Sequence, residues 1–153
     1  MPYTYFALTD LRVSRLCQGT AFRDLPRADD PRALRVLRHA IERGINFFDT
    51  ASAYGWGGAE TVLGKAITGR REELVLCTKV PAILAPTREG EAGSPTRYSR
   101  SYLHQELEAS LGRLQTDYVD LYLLHHFDPH MPPDEIAASM GFVARKTMKF
   151  PLP

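Results

Sequence analysis

Cysteine is scarce in this sequence, with two residues, Cys17 and Cys77, among 153. They stand far apart, each at the end of an apolar stretch, and neither belongs to the closely spaced pairs typical of a structural zinc site. A disulfide-stapled scaffold is excluded by the same scarcity. We expect two buried thiols in a reducing compartment.

The sequence also lacks an excess of charge and any long apolar run. Nineteen Lys and Arg oppose eighteen Asp and Glu, which leaves a formal net charge of +1. This balance provides no broad attraction to nucleic acid or to acidic lipid. No run approaches the ~20 apolar residues that span a bilayer, and the first residues lack the basic start and apolar core of a secretion signal. We therefore expect a cytoplasmic protein that binds neither nucleic acid nor membrane.

The composition is otherwise that of an ordinary globular domain, with 44% hydrophobic and 24% charged residues, near the averages for soluble domains. Short apolar runs alternate four times with helical patterns. The runs lie at 13–17, 45–48, 74–78 and 118–124. The helical patterns carry apolar stripes at Leu34, Leu37 and Ile41, at Ala59, Val62, Leu63, Ala66 and Ile67, at Leu103, Leu107, Leu111 and Leu114, and at Ile136, Met140 and Val143.

This alternation predicts an α/β fold with four parallel βα units and helices outside the sheet. The segment before the first run, residues 3–11, predicts a small β-hairpin with its turn at Thr9-Asp10. The pattern alone leaves open whether the four units form an open sheet or part of a closed (β/α) barrel.

Polar residues follow three successive runs at the point where each predicted strand ends. Asp49, Lys79 and His125 occupy these positions, and Tyr54 lies in the loop beyond Asp49. In a (β/α) barrel the carboxyl ends of the strands form the rim on which active sites are assembled. We therefore expect these four side chains to converge.

The four residue types together can deliver a proton to a carbonyl oxygen. A tyrosine hydroxyl ordinarily titrates near ~10, and a neighbouring ammonium stabilises its anion. A carboxylate keeps that ammonium charged, and an imidazole can orient the carbonyl, while a cofactor would supply hydride. The structural alternatives are that Asp49 caps its loop, that Lys79 is a solvated strand end, and that Tyr54 is a surface aromatic.

Two further polar patterns are weaker. His126, Asp128 and His130 alternate like metal ligands, but their loop surrounds Pro129 and lacks a fourth ligand, so we predict no metal site. The glycines of residues 55–58 do not have the spacing of a dinucleotide fingerprint. Gly19-Thr20, after the first run, is a plausible place for a ligand to approach the backbone closely.

The sequences of several motifs resemble those of the aldo-keto reductase family. These are residues 44–55 (GINFFDTASAYG) with the following Ala59-Glu60 and Leu63-Gly64, residues 76–80 (LCTKV), and residues 110–125, from SLGRL to the YVDLYLLH strand. Asp128-Pro129 and the helix start at residues 132–135 fit the same pattern. The motifs occur in order over about residues 3 to 138.

The resemblance implies a (β/α)8 TIM barrel that reduces carbonyl compounds with NADPH. Tyr54 would be the general acid, Lys79 its charged partner, Asp49 the support for Lys79, and His125 the orienting imidazole. Gly19, Thr20 and Asp49 match positions near the nicotinamide ribose. The hairpin would close the bottom of the barrel, and the loop from Val80 to Tyr98 would lie over the active site.

The chain departs from that family in length, because a (β/α)8 barrel needs about 250 residues. We expect residues 1–139 to be the N-terminal half of the barrel and residues 140–153 a divergent tail, for which a truncated or frameshifted reading frame is one hypothesis. The phosphate site of such barrels is built after strands seven and eight, so the main cofactor clamp would lie outside these four units.

Two functions follow from this departure. The first is NADPH-dependent reduction of a small aldehyde or ketone, with the half barrel completed by a second copy or by a complementing half. The alternative is a truncated, non-catalytic half-barrel fragment or interaction module. The residues present do not distinguish NADPH from NADH and do not identify the substrate.

Overall fold

A computed structural model describes residues 1–21, 29–81, 98–128 and 131–147, with side chains through Val143. In these ranges the chain forms strands and helices in the alternating order that the sequence predicts. The strands are β1 (Tyr3–Tyr5), β2 (Arg12–Ser14), β3 (Cys17–Gly19), β4 (Phe47–Asp49), β5 (Val75–Val80) and β6 (Leu121–Leu124). The helices are α1 (Pro31–Glu42), α2 (Gly58–Ile67), α3 (Arg100–Leu114) and α4 (Pro133–Thr147), with 3₁₀ turns at Tyr54–Gly57 and Arg71–Glu73.

The last four strands form one sheet in the order β3-β4-β5-β6, and each neighbouring pair is parallel. One helix follows each strand, so the arrangement is an α/β partial barrel and the predicted fold class is confirmed. The parallel register brings the carboxyl ends of all four strands to the same edge. Among the described residues, no helix combines the length and apolarity needed to cross a membrane.

The helix boundaries follow from local signals in the sequence. Asp30 caps α1, since its carboxylate accepts from the backbone N–H of Arg32 at 2.7 Å and of Ala33 at 3.4 Å, and Pro31 occupies the first turn. After α1 the chain turns at Gly44, whose φ of +86° is left-handed. Ser99 caps α3 in the same way.

The hydrophobic core lies between the outer face of the sheet and the helices. Phe48, Leu76 and Val80 point outward from the strands and are at most 1% exposed. The helices contribute the apolar stripes that the sequence predicts, including Leu37, Leu63, Ala66, Ile67, Leu103, Leu107, Leu111, Leu114 and Val143. The second, opposite face of the sheet carries the polar residues of the rim.

The first predicted strand, at 13–17, is wrong in its boundaries. Its first half belongs to the hairpin, where Arg12–Ser14 pairs antiparallel with Tyr3–Tyr5, and its second half starts the barrel strand Cys17–Gly19. The division arises because the Ser14 hydroxyl donates to Leu16 O and its backbone N–H donates to the Asn46 side chain, so the chain bends there. The predicted hairpin exists, but its second strand begins after Leu11.

The hairpin lies at the amino ends of the parallel strands. Tyr3 donates its hydroxyl to Gly44 O at 2.9 Å, and the Asn46 amide donates to Arg12 O at 2.9 Å. Phe6 packs edge-on against Phe47 with 5.6 Å between the ring centroids. These contacts position the hairpin at the end of the sheet opposite the polar rim.

The third and fourth predicted strands are also displaced. The third extends through Lys79 to Val80, and the fourth is shorter, starting at Leu121 instead of Tyr118. Two side chains cause the shortening. The Asp120 carboxylate accepts a hydrogen bond from the Leu76 N–H at 2.8 Å, and the Arg71 guanidinium donates one to Tyr118 O at 3.0 Å. These backbone groups are therefore not available to a regular ladder.

Three other predictions have different outcomes in the described structure. Cys77 is buried, but Cys17 is exposed, so the expectation of two buried thiols is wrong for Cys17. The proposed boundary between residues 139 and 140 falls inside α4, which continues to Thr147. Most of the predicted active-site loop, at 82–97, and the end of the tail, at 148–153, lie outside the described residues.

Candidate active site

The Lys79 ammonium is the centre of a hydrogen-bonded cluster at the carboxyl edge of the sheet. Its Nζ donates to Asp49 Oδ2 at 2.7 Å, to the Thr50 carbonyl at 3.0 Å and contacts the Tyr54 hydroxyl at 3.1 Å. The structure thus brings together three of the four predicted catalytic residues. Asp49 is the last residue of β4 and Lys79 is the next-to-last of β5, so both lie within strands and not beyond them.

Electrostatics keep Lys79 charged. Its side chain is 14% exposed, and burial alone would lower the pKa of the ammonium. The hydrogen bonds and charge interactions with Asp49 and Tyr54 outweigh burial, and the net pKa of Lys79 is above its ordinary value. At neutral pH the cluster therefore holds an ammonium within hydrogen-bonding distance of a phenol.

Tyr54 is positioned by an unusual turn between β4 and α2. Its backbone N–H donates to Ala51 O at 3.1 Å, and the following residues Gly55, Trp56 and Gly57 all have left-handed φ values, of 57°, 52° and 86°. A left-handed conformation is uncommon for tryptophan. The turn reverses the chain directly after Tyr54, so the phenol remains at the rim while α2 runs back behind the sheet.

His125 completes the predicted set of four. It follows β6 directly, and its backbone N–H donates to Val80 O at 2.8 Å, which holds it beside the end of β5. Its ring packs edge-on against Tyr54, with 5.4 Å between the centroids, and stacks on His126 at 4.9 Å. Burial, then His126 and Lys79, lower the pKa of His125 against the opposing effect of Asp49. A neutral imidazole therefore faces the Tyr54 phenol.

One nitrogen of this imidazole is left without a hydrogen bond within the described structure. His125 Nδ1 is buried and has no hydrogen-bond partner among the described residues. A buried polar nitrogen without a partner is costly.

Two of the residues predicted to lie near a cofactor, Gly19 and Thr20, differ in exposure and in contacts. Gly19 is exposed at the end of β3, and a Cβ placed on it would meet no described atom within 4 Å. Thr20 is 1% exposed, and its hydroxyl interacts with Asp49 O at 3.2 Å and Thr50 Oγ1 at 2.8 Å. Gly19 thus leaves open space beside Asp49, whereas the Thr20 side chain supports the strand end from behind.

A metal centre is not formed by the described residues, which contain no group of three potential ligands. His126 and Asp128 are described, and His130 lies outside the described residues. The Cys77 thiol stands opposite Asp49 in the parallel register, but burial, followed by the Asp49 charge, raises its pKa to about 12. Cys77 therefore remains protonated and is unsuited to act as a nucleophile.

A buried polar cluster behind this site was not predicted from the sequence. Glu60 is fully buried in α2 and accepts hydrogen bonds from Thr78 and from Arg113, both at 2.6 Å. The signal in the sequence was an acidic residue in the apolar stripe between Ala59 and Val62. The partners could not be derived from spacing, because they come from a strand and a helix that are distant in the chain.

Comparison with known proteins identifies the class to which this fold and site belong. The family model "Aldo/keto reductase family" matches residues 15–145. An uncharacterized oxidoreductase of Bacillus subtilis, YrpG, is 42% identical over 143 residues, which cover 89% of this chain and 43% of that protein. The B. subtilis aldo-keto reductase YhdN is 36% identical over 146 residues, which cover 92% of this chain and 42% of YhdN.

Solved structures agree with these relatives. Aldo-keto reductase AKR11C1 from Bacillus halodurans, in its holo form, has a TM-score of 0.79 and 34% identity, covering 96% of this chain and 47% of that one. The thermostable aldo-keto reductase Tm1743, in complex with the inhibitor epalrestat, has a TM-score of 0.76 and 35% identity, covering 95% and 50% of the two chains.

The four-stranded α/β partial barrel of this chain is similar to part of the TIM barrel of these aldo-keto reductases. More specifically, the chain belongs to the aldo/keto reductase family. The chain spans less than half the length of the two B. subtilis relatives that it matches.

Proposed function

We propose that this chain forms the proton-donating half of an NADPH-dependent reductase that converts a small aldehyde or ketone to an alcohol. The observation that carries the proposal is the set of three Lys79 contacts, which link the Asp49 carboxylate, the Thr50 carbonyl and the Tyr54 hydroxyl. This arrangement supports general-acid chemistry at Tyr54. The NADPH preference follows from the family resemblance and stays a proposal.

Tyr54 would donate its phenolic proton to the carbonyl oxygen of the substrate as that oxygen becomes negative. The Lys79 ammonium, 3.1 Å away, would stabilise the phenolate that remains, until solvent returns the proton. Asp49 fixes the direction of the ammonium and keeps it charged. The balanced result is one alcohol from one carbonyl compound, one hydride and one proton.

His125 would orient the carbonyl oxygen toward Tyr54. Its neutral ring lies edge-on to the phenol, and its buried Nδ1 lacks a partner among the described residues. A neutral imidazole carries one N–H donor, and a donor aimed at the substrate oxygen would favour the geometry needed for proton transfer. This interaction would not compete with Tyr54 for the proton, because a neutral imidazole is a very weak acid.

The described residues fit the nicotinamide end of a dinucleotide. When bound, such a cofactor supplies the hydride for the carbonyl carbon. Gly19 leaves open space at the rim, and the one-third exposed Asp49 carboxylate beside it could accept from a ribose hydroxyl. Thr20 would act indirectly, by holding the backbone of Asp49.

Completion of the barrel is part of the proposal. The sheet has unpaired edges at β3 and β6 within the described residues, and relatives of about twice the length have further chain to place there. We propose that either a second copy or a complementing half covers these edges. The alternative is a non-catalytic fragment or interaction module. The cytoplasmic location stays a prediction.

Calorimetric titration with NADPH, with the oligomeric state recorded on the same sample, separates the two functions. Saturable binding would support an assembled cofactor site, and heat from a 1:1 association per chain is the expected result. A matched sample is a chimera in which this chain replaces the first half of YrpG. Binding to the chimera together with no binding to the chain up to millimolar NADPH would mean that a complementing half is needed, whereas no binding to either sample would favour the non-catalytic alternative.

A further inference from the structure

The buried Glu60 carboxylate connects two elements that carry catalytic residues. Its side chain is 0% exposed, Oε1 accepts from Thr78 Oγ1 at 2.6 Å, and Oε2 accepts from Arg113 Nε at 2.6 Å. Arg113 is itself held by Ser110, whose hydroxyl accepts from Nη2 at 3.1 Å. A carboxylate that is fully buried and charged requires such partners. The three side chains, Glu60, Thr78 and Arg113, are called the Glu60 clasp below.

The clasp is fixed to the turn that positions Tyr54. Glu60 lies in the first turn of α2, and the 3₁₀ turn Tyr54–Gly57 runs directly into that helix. Arg113 packs against the same turn, since a Cβ built on Gly57 would lie 2.6 Å from Arg113 Cδ. The left-handed Gly57, with φ of +86°, therefore allows the guanidinium to approach the chain just after Tyr54.

The clasp is equally fixed to the strand that positions Lys79. Thr78 precedes Lys79 in β5, and successive residues of a strand point to opposite faces of the sheet. Thr78 accordingly faces the helices, where it is fully buried, while Lys79 faces the rim. A hydrogen bond at Thr78 thus holds the β5 backbone from behind, one residue before the ammonium.

We propose that the Glu60 clasp sets the separation between the Tyr54 hydroxyl and the Lys79 ammonium, and so positions the proposed proton donor for carbonyl reduction. The catalytic part of this proposal rests on the proposed function. None of the three residues contacts the reacting groups, so they are positioning residues. If the clasp only stabilised the fold, weakening it would leave the Tyr54–Lys79 contact unchanged.

The test compares Thr78→Val with Thr78→Ser in the full chain. Valine preserves the shape and the strand preference of threonine but removes the donor to Glu60, whereas serine keeps that donor. The control is Thr116→Val, because the Thr116 hydroxyl accepts from Arg71 at 3.1 Å in the separate Arg71–Asp120 ion pair, near the other end of β5. It removes a comparable support without touching the clasp.

The readout is the pH titration of the Lys79 side chain, followed by NMR in protein labelled at the lysine Cε carbons. The chain has four lysines, and Lys79→Met identifies the resonance. The hydrogen bond with Tyr54 is one of the contributions that raise the pKa of Lys79. We expect its midpoint to fall in Thr78→Val and to remain at the wild-type value in Thr78→Ser and Thr116→Val.

The same variants give a second readout in the YrpG chimera, where Thr78→Val should lower kcat roughly 10-fold, with little change in KM, because a small misplacement of catalytic groups is costly. An unchanged Lys79 titration in Thr78→Val, with stability lowered as in Thr116→Val, would overturn the clasp. The titration needs neither cofactor nor substrate. An inactive wild-type chimera would therefore count against the proposed function and leave the titration to decide on the clasp.

Discussion

The Lys79 ammonium and the Tyr54 hydroxyl lie 3.1 Å apart, although the two residues come from different structural elements. Lys79 belongs to β5, and Tyr54 belongs to the turn between β4 and α2. The parallel register positions Asp49 level with Cys77, two residues before Lys79. The contact therefore depends on the sheet and on the turn together, and each can be tested separately.

The charge on Lys79 should make stability depend on pH at the alkaline end. Its folded-state pKa exceeds the ordinary value of about 10.5, so the folded protein binds this proton more tightly than the unfolded chain does. The resulting stabilisation is complete well below that value and is lost as pH rises through the folded-state pKa. Urea unfolding of wild type and Lys79→Met between about pH 8 and 11.5 measures it. A stability difference that grows with pH would contradict this sign.

His126 should control the protonation of His125. The stacked rings, 4.9 Å apart, make His126 one of the causes that lower the pKa of His125, after burial. His126→Gln should therefore raise the pKa of His125 toward its ordinary value, as followed by NMR of the imidazole Cε1 protons. His39→Gln, in the distant helix α1, is the control and should leave the titration of His125 unchanged.

The same shift predicts a stability change at acid pH. Because the folded-state pKa of His125 is below that of the unfolded chain, near 6.5, its contribution to stability falls as pH decreases through 6.5 toward the folded-state pKa. His126→Gln should reduce this loss. An equally steep loss in the variant would show that His126 does not affect the folded state in this way.

Two helical glycines should respond oppositely to alanine. A Cβ on Gly64 in α2 would lie 2.6 Å from the backbone carbonyl oxygen of Arg113, which cannot move without shifting α3. Gly64→Ala should lower the free energy of unfolding by about 1–3 kcal/mol. Gly112 in α3 is exposed with no atom within 4 Å of such a Cβ, so Gly112→Ala should raise it by about 0.5–1 kcal/mol. Urea denaturation of both variants checks the difference, and equal effects would contradict the close α2–α3 packing.

The sequence predicted the features that depend on local chemistry. Asp30, Pro31 and Gly44 gave the limits of α1, because caps and left-handed turns are properties of single residues. The strand ends were predicted less accurately. The Asp120 carboxylate accepts a hydrogen bond from the Leu76 N–H, and this contact between distant residues shortens β6. A strand limit set by a side chain from elsewhere is invisible to a local pattern.

In the candidate site, too, the features that depend on local sequence were predicted, and those that depend on contacts between distant residues were not. The positions of these residues at strand ends and the sequences of the motifs identified Asp49, Tyr54, Lys79 and His125, and the structure brings them together. The Glu60 clasp escaped prediction, because an acidic residue in an apolar stripe does not reveal which distant donors will meet it. Its partners, Thr78 and Arg113, are known only once β5 and α3 are packed against α2.

Tyr54→Phe is the sharpest test of the proposed proton donor, because it removes the one oxygen that would donate the proton and leaves the ring in place. The measurement is carbonyl-dependent oxidation of NADPH by the YrpG chimera, with Tyr5→Phe, an exposed hairpin tyrosine, as the control. We expect Tyr54→Phe to reduce turnover by about 10²–10⁴-fold, with NADPH binding retained and Tyr5→Phe fully active. Wild-type turnover in Tyr54→Phe would contradict this expectation.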